Sequence, residues 1–242
     1  MAKAWMPGAE RIDGGTTRTA DGLGAPRAVW TVTGTDPNMW SAREEAIRLV
    51  HEGRPPHLVW NPLTGAVAQI LAATRRSELL LGHTSRYGQH LDHGDEGRVC
   101  LVVAVVSTEK EPFTDGPLVG LAPVLEWLGS WGVERGWPAG PPGLRGERRP
   151  SEEERSRTWS RGGHFGHDQV PGSASTAPGR VDPEQLLIAG TREVSPGPES
   201  GSGSGSEPGS GLGSGSAREA AATARAPQLS REHPEPQPSV IT

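Results

Sequence analysis

The stretch Arg98-Val-Cys-Leu-Val-Val-Ala-Val-Val106 limits the fold more than any other. It is an almost unbroken apolar run, without the alternation of a strand that wets one face. Such a run predicts a central strand buried on both faces, which needs packed layers above and below it. Around it lie segments of both periods. Arg27-Ala-Val-Trp-Thr-Val-Thr33 is β-branched and aromatic and reads as a strand. Ser41-Ala-Arg-Glu44 fits a capping box, and Ala42, Ala46, Leu49 and Val50 follow at helical spacing to about His51. His57–Trp60 reads as a strand, Asn61–Gly65 as a turn and Ala66–Ala72 as the return strand of a hairpin. Leu118, Leu121, Ala122, Leu125 and Leu128 mark a second helix that ends near Gly132. A Pro/Gly/Arg-rich loop is expected from about Trp137 to Arg157. Asp182-Pro183 caps a last helix, with Gly190 as its expected end. Strands interleaved with helices predict an α/β (α+β) domain with a central mixed sheet flanked by helices.

The 242 residues divide into three zones. Residues 1–27 read as an arm poor in apolar residues. Residues 28–190 hold the periodic patterns and all the tryptophans but Trp5. Residues 191–242 are Gly, Ser, Pro and charge, a composition too polar to offset chain entropy, and are expected to be a disordered tail.

A net charge of -5 argues against a nucleic-acid groove or an anionic membrane surface. Cys100 is the only cysteine, so neither an intrachain disulfide nor a thiolate zinc cluster is expected, and its apolar neighbours make it a core residue rather than a catalytic thiol. No apolar signal segment follows Met1, and no stretch reaches the ~20 apolar residues of a membrane span. The expectation is a soluble, cytoplasmic protein that meets a cell wall only if another system releases it.

Chemistry concentrates in Gly162-Gly-His-Phe-Gly-His-Asp-Gln-Val-Pro171, followed by Pro178-Gly-Arg-Val-Asp182. These segments resemble the C-terminal signature of zinc-dependent N-acetylmuramoyl-L-alanine amidases of type 2, the family that shares its fold with peptidoglycan recognition proteins. Actinobacterial and actinophage members carry a GGHYGHxQVP run and then a DPGxxD run. Trp5-Met-Pro-Gly-Ala9, Pro56–Gly65, Leu125–Gly132 and Trp137-Pro-Ala-Gly140 are similar to further segments of the same family, so the likeness spans residues 5–188.

The resemblance implies a zinc cleft on one side of the sheet and hydrolysis of the amide between the lactyl group of N-acetylmuramic acid and L-alanine. Such chemistry needs a zinc ion with three protein ligands and one open position. The resemblance places the first ligand at Thr31, the second at His167 and the third at Ala177. It places the central-strand acid at Ala104 and a basic residue at Ser175. Only His167 keeps a family ligand. A lone imidazole does not hold zinc against water, so the metal site is expected to be degenerate, with no resident cofactor and zinc only if the chain is active.

His57, Trp60, Asn61 and His164 are the candidates for lining a cleft, with Trp137 beside them; core packing is the plainer reading of the tryptophans. His90 and His93 are expected in an exposed loop. Ser151–Arg155 reads as a solvated charge run, and the glycines of Gly162–Gly166 lack the Gly-Lys-Ser/Thr end of a phosphate loop. The favoured expectation is a non-catalytic amidase-fold protein that binds peptidoglycan or muropeptide fragments or serves a structural role. One alternative is a working amidase, endolysin-like, with a rearranged zinc site built from His164, His167 and a further histidine. Another is a remnant with no present role.

Overall fold

The structure, a computed structural model, describes residues 1–20, 22–86, 89–143 and 150–192. Apart from its first two residues, the expected tail lies outside them, as do six residues of the expected Pro/Gly/Arg loop. The elements are β1 (Glu10–Arg11), β2 (Arg27–Val32), α1 (Ala42–His51), β3 (Leu58–Trp60), β4 (Val67–Gln69), β5 (His83–Arg86), β6 (Gln89–Asp92), β7 (Cys100–Val105), α2 (Leu121–Ser130), α3 (Glu152–Trp159), β8 (Gly163–Gly166) and α4 (Pro183–Arg192).

Six strands form one mixed sheet in the order β1-β4-β3-β7-β2-β8. β7 lies between β3 and β2, parallel to both, and β8 extends the parallel set beyond β2. β4 returns antiparallel to β3, as the hairpin reading requires. Every residue of β7 is buried, which is the physical content of its unbroken apolar run.

Alternation along the strands separates two packed faces. On the first, Trp30, Leu58, Trp60, Leu101 and Val103 pack against α2 and against Leu186 of α4. On the second, Val59 and Ala104 pack under Ala42, Ala46 and Leu49 of α1, while Val29, Val102 and Phe165 meet Trp159 of α3. Each fully buried Val, Leu or Phe stabilises the fold by about 1.5–3 kcal/mol relative to an exposed one. The sheet is thus covered on both sides.

Several boundaries differ from the sequence expectation. The arm does not end at residue 27 as a separate zone. Met6 is buried in the core, and β1 adds to the edge strand β4 in parallel register. Gln69 explains the docking: its side chain accepts from the Met6 amide at 2.6 Å and donates to the Ala4 carbonyl at 2.9 Å. Residues 151–154 are exposed, as a solvated charge run should be, but they open a helix rather than lying in the expected loop. Ser151 and Glu154 form a second capping box, and Glu152, Glu153 and Glu154 sit where the helix dipole favours acids, so α3 starts there. α4 continues through Gly190 to Arg192 rather than closing at the glycine. β8 and the β5–β6 hairpin were not expected. Among the described residues, no helix is long and apolar enough to cross a membrane.

Candidate functional site

The site grows from β2 and the turn that follows β8. Thr31 lies on the second face of the sheet, in register with Ala104 of β7. Gly166 is followed by a single 3-10 turn, His167–Gln169. That turn sends the His167 ring back over β2, where its Nδ1 lies 3.5 Å from Thr31 Oγ1. The Asp168 amide donates to the Ala177 carbonyl at 2.7 Å, and Ser175 Oγ accepts from the Ala177 amide at 3.1 Å. Positions 31, 104, 167, 175 and 177, scattered over the sequence, thus gather at one end of the parallel strands.

The His167 imidazole is tied down from the other side. Its Nε2 lies 3.1 Å from the Leu80 carbonyl oxygen and 3.0 Å from that of Leu81. Carbonyls only accept, so Nε2 carries the proton and Nδ1 the lone pair. Burial lowers the His167 pKa below the usual histidine value, against the opposing pull of the two carbonyls and of the Glu109 charge. The segment that supplies the carbonyls is wedged in place. A Cβ on Gly82 would overlap the Pro171 carbonyl, and one on Gly172 (φ 66°) would overlap that of His83. Only glycine permits two backbones to cross this closely. Beside the ring, Thr176 Oγ1 donates to Glu109 Oε2 at 2.5 Å.

These residues do not fit a zinc ion. His167 offers one lone pair, which faces a neutral hydroxyl. Ala177 offers no side-chain donor, and the Ala104 methyl is packed under α1. Among the described residues, no group of three His, Cys, Asp or Glu side chains is placed to hold a metal.

The cleft candidates require correction. His57, Trp60, Asn61 and His164 are each at most 1% exposed. His57 accepts from the Val102 amide at Nδ1 (3.0 Å) and donates from Nε2 to the Arg75 carbonyl (2.9 Å), so it substitutes for a ladder partner between β3 and β7. Trp60 donates to the Val119 carbonyl and packs edge-on against Trp30. Asn61 bridges the Pro37 and Trp40 carbonyls and caps its own turn through the Leu63 amide. His164 accepts from Trp30 Nε1 at 2.9 Å and stacks between Trp30 and Trp137. These are core groups, and none borders open solvent. His164 and His167 do not form a pair either. Trp30 and Thr31, their respective partners, are neighbours on β2 and point to opposite faces of the sheet.

His93, expected to be exposed, is 3% exposed and hydrogen-bonded at both nitrogens; His90 is exposed as expected. Sequence reasoning missed the Leu80–Leu81 carbonyls and Glu109. Backbone groups leave no residue-type signal, and Glu109 stands in a run of ordinary surface charge.

No protein-family description and no curated protein matches this sequence. Among solved structures it is similar to a selenomethionine derivative of AmpD, at 13% identity over 78% of this chain and 98% of that one, with a TM-score of 0.43. It is also similar to the hydrolase AmiA of Staphylococcus aureus in complex with its ligand, at 11% identity over 77% of this chain and 84% of that one, with a TM-score of 0.43.

Proposed function

We propose that this chain is an amidase-like protein of the peptidoglycan type that binds muropeptide fragments and does not perform zinc-dependent hydrolysis. The observation that carries the reading is a convergence. Thr31, His167 and Ala177 occupy the three motif positions, and they lie together: Thr31 Oγ1 is 3.5 Å from His167 Nδ1, and Ala177 is hydrogen-bonded to the residue after His167. That convergence is what the family resemblance leads one to expect, and it supports the reading. Two of the three carry no metal-binding group, and the third is held by backbone carbonyls and a hydroxyl.

What the gathered residues offer is hydrogen bonding. Ser175 supplies a partly exposed hydroxyl, and Glu109 with Thr176 supplies an exposed acceptor already paired at one oxygen, while Thr31 is buried against His167. Groups of this kind suit the hydroxyl and amide groups of a sugar-peptide ligand.

The test has two arms. Metal analysis of the purified chain is expected to find no stoichiometric zinc, and incubation with cell-wall sacculi is expected to release no new L-alanine N-termini. Sedimentation with insoluble peptidoglycan is expected to remove the chain from the supernatant. One tightly held zinc per chain, or released stem peptides, overturns the non-hydrolytic reading. Protein left wholly in solution overturns the binding reading.

A further inference from the structure

On the far side of α3 from solvent lies a chain of groups that the amidase positions do not use. Thr84 is on β5, His93 opens the 3-10 turn after β6, and Glu96 follows that turn. Thr84 Oγ1 is 3.0 Å from His93 Nε2, and His93 Nδ1 is 2.9 Å from Glu96 Oε2. The same carboxylate oxygen accepts from Trp159 Nε1 at 2.5 Å, which fixes its position. An indole N–H only donates, so the shared Glu96 Oε2 is an accepting oxygen. The imidazole nitrogen facing it carries the proton, Nε2 holds the lone pair in the neutral ring, and the Thr84 hydroxyl is placed to donate to it. This is the order nucleophile, base, orienting acid, with both spacings inside the range such a relay uses.

Accessibility follows the same order. His93 is 3% exposed and edge-on against Trp159, whereas Thr84 is only partly buried. Leu91 is the direct cross-strand partner of Thr84 and is 43% exposed. Directly opposed residues share one face of a hairpin, so an apolar surface stands beside the hydroxyl.

We propose that Thr84, His93 and Glu96 form an acyl-transfer site that takes esters with a short apolar acyl group, which lies against Leu91. Thr84 Oγ1 attacks the ester carbonyl carbon as its proton passes to His93 Nε2. Collapse of the adduct breaks the carbonyl–alkoxy bond, and the same proton leaves with the alcohol. Water then attacks the acyl-threonine, gives its proton to His93, and releases the acid while Thr84 recovers its hydrogen. Glu96 keeps the ring oriented and stabilises its charged form. The site is independent of the peptidoglycan reading, since neither His167 nor its neighbours take part.

The experiment treats the full chain with a fluorophosphonate, whose phosphorus accepts the Thr84 oxygen as fluoride leaves, and maps the adduct by peptide mass spectrometry. Hydrolysis of p-nitrophenyl butyrate is followed in parallel. The expected results are phosphonylation at Thr84, and ester hydrolysis that falls about 100-fold or more in Thr84→Val and in His93→Gln, the range for loss of a general base or its nucleophile. Thr84→Val keeps the β-branched shape but leaves His93 Nε2 without its donor, so a lowered thermal midpoint with a retained cooperative fold is expected. Thr84→Ser, which keeps the hydroxyl, separates chemistry from folding by keeping both the labelling and the ester hydrolysis. An unlabelled Thr84, an adduct confined to other hydroxyls, or labelling of Thr84 that proceeds equally well in folded His93→Gln overturns the proposal.

Discussion

At the scale of single residues, the candidate site is defined by what stands beside His167. A tetrahedral zinc with nitrogen ligands at about 2.0–2.1 Å separates those nitrogens by about 3.3 Å. His167 Nδ1 and Thr31 Oγ1 are 3.5 Å apart, so the scaffold still spaces two groups on that order. The double variant Thr31→His/Ala177→Asp is therefore expected to bind about one zinc per chain, where the parent is expected to bind none. Equilibrium dialysis followed by metal analysis decides it. A double variant that folds and stays metal-free would mean that positions 31, 167 and 177 do not share one coordination sphere. Flanking motif residues anchor these positions in the sequence, and the fold brings the three near one another. The role of the cleft candidates was not. His57, Trp60, Asn61 and His164 are residue types that serve binding sites and buried hydrogen-bond networks equally well, and only burial distinguishes the two uses. His93 was misplaced for a related reason: its Gly/Asp-rich surroundings signal a loop, but not that Trp159 and Glu96 cover the loop from elsewhere in the chain.

At the scale of elements, two of those histidines join strands that hydrophobic pattern alone would leave free to slide. His57 bonds across from β3 to the β7 amide of Val102, and His164 ties β8 to Trp30 of β2. Both are neutral in the fold, since burial lowers each pKa from 6.5 to about 4. The sign follows directly. Above about pH 6.5 neither the folded nor the unfolded chain binds these protons, and the two states are balanced. Between about 6.5 and 4 the unfolded chain takes them up and the folded chain does not, so stability falls as pH falls. Below about 4 the loss is complete, at about 3 kcal/mol for each histidine. Urea unfolding at pH 7.5 and again at pH 4.5 should therefore give a lower midpoint at the acid pH with proton uptake on unfolding. An unchanged midpoint would mean that these rings are already protonated or accessible in the fold. The strong elements were readable in advance because each has one clear signal: the apolar run for β7, the capping box for α1, the leucine spacing for α2. β8 and the strands of the β5–β6 hairpin lack such a signal, being four residues each and mostly Gly, His and polar residues, with Phe165 and Leu91 their only large apolar side chains. α3 carries one, the Ser-x-x-Glu of its cap, which was masked by the density of charge around it.

At the scale of the whole molecule, the N-terminal arm decides how much of β4 stands open as a sheet edge. β4 would be an edge strand next to solvent, and an uncovered edge offers unpaired amides to other chains. β1 covers it, and the residues before β1 reach across to the helical layer. The Lys3 carbonyl accepts from Trp127 Nε1 at 2.9 Å and from Trp131 Nε1 at 3.1 Å. Gln69, fully buried, spends both ends of its amide on this arrangement, accepting from Met6 and donating to Ala4 and Leu71. Removal of residues 1–12 would thus strip Met6 from the core, leave the part-buried Trp127 indole N–H and the buried Gln69 oxygen without their partners, and open the β4 edge. Each buried polar group left unsatisfied costs about 1–3 kcal/mol, and the lost Met6 burial adds about 1.5–3 kcal/mol, against a total of about 5–15 kcal/mol for an ordinary domain. The truncated chain is expected to unfold at a much lower urea concentration than the parent and to associate with itself when concentrated. The companion variant Gln69→Leu separates the two effects: it keeps the arm and its strand pairing but removes the amide network, so it should lose stability without gaining self-association. If the truncated chain matched the parent in both urea midpoint and sedimentation, the arm would be an appendage, as its composition suggests, and the sheet edge would be held closed by something other than β1.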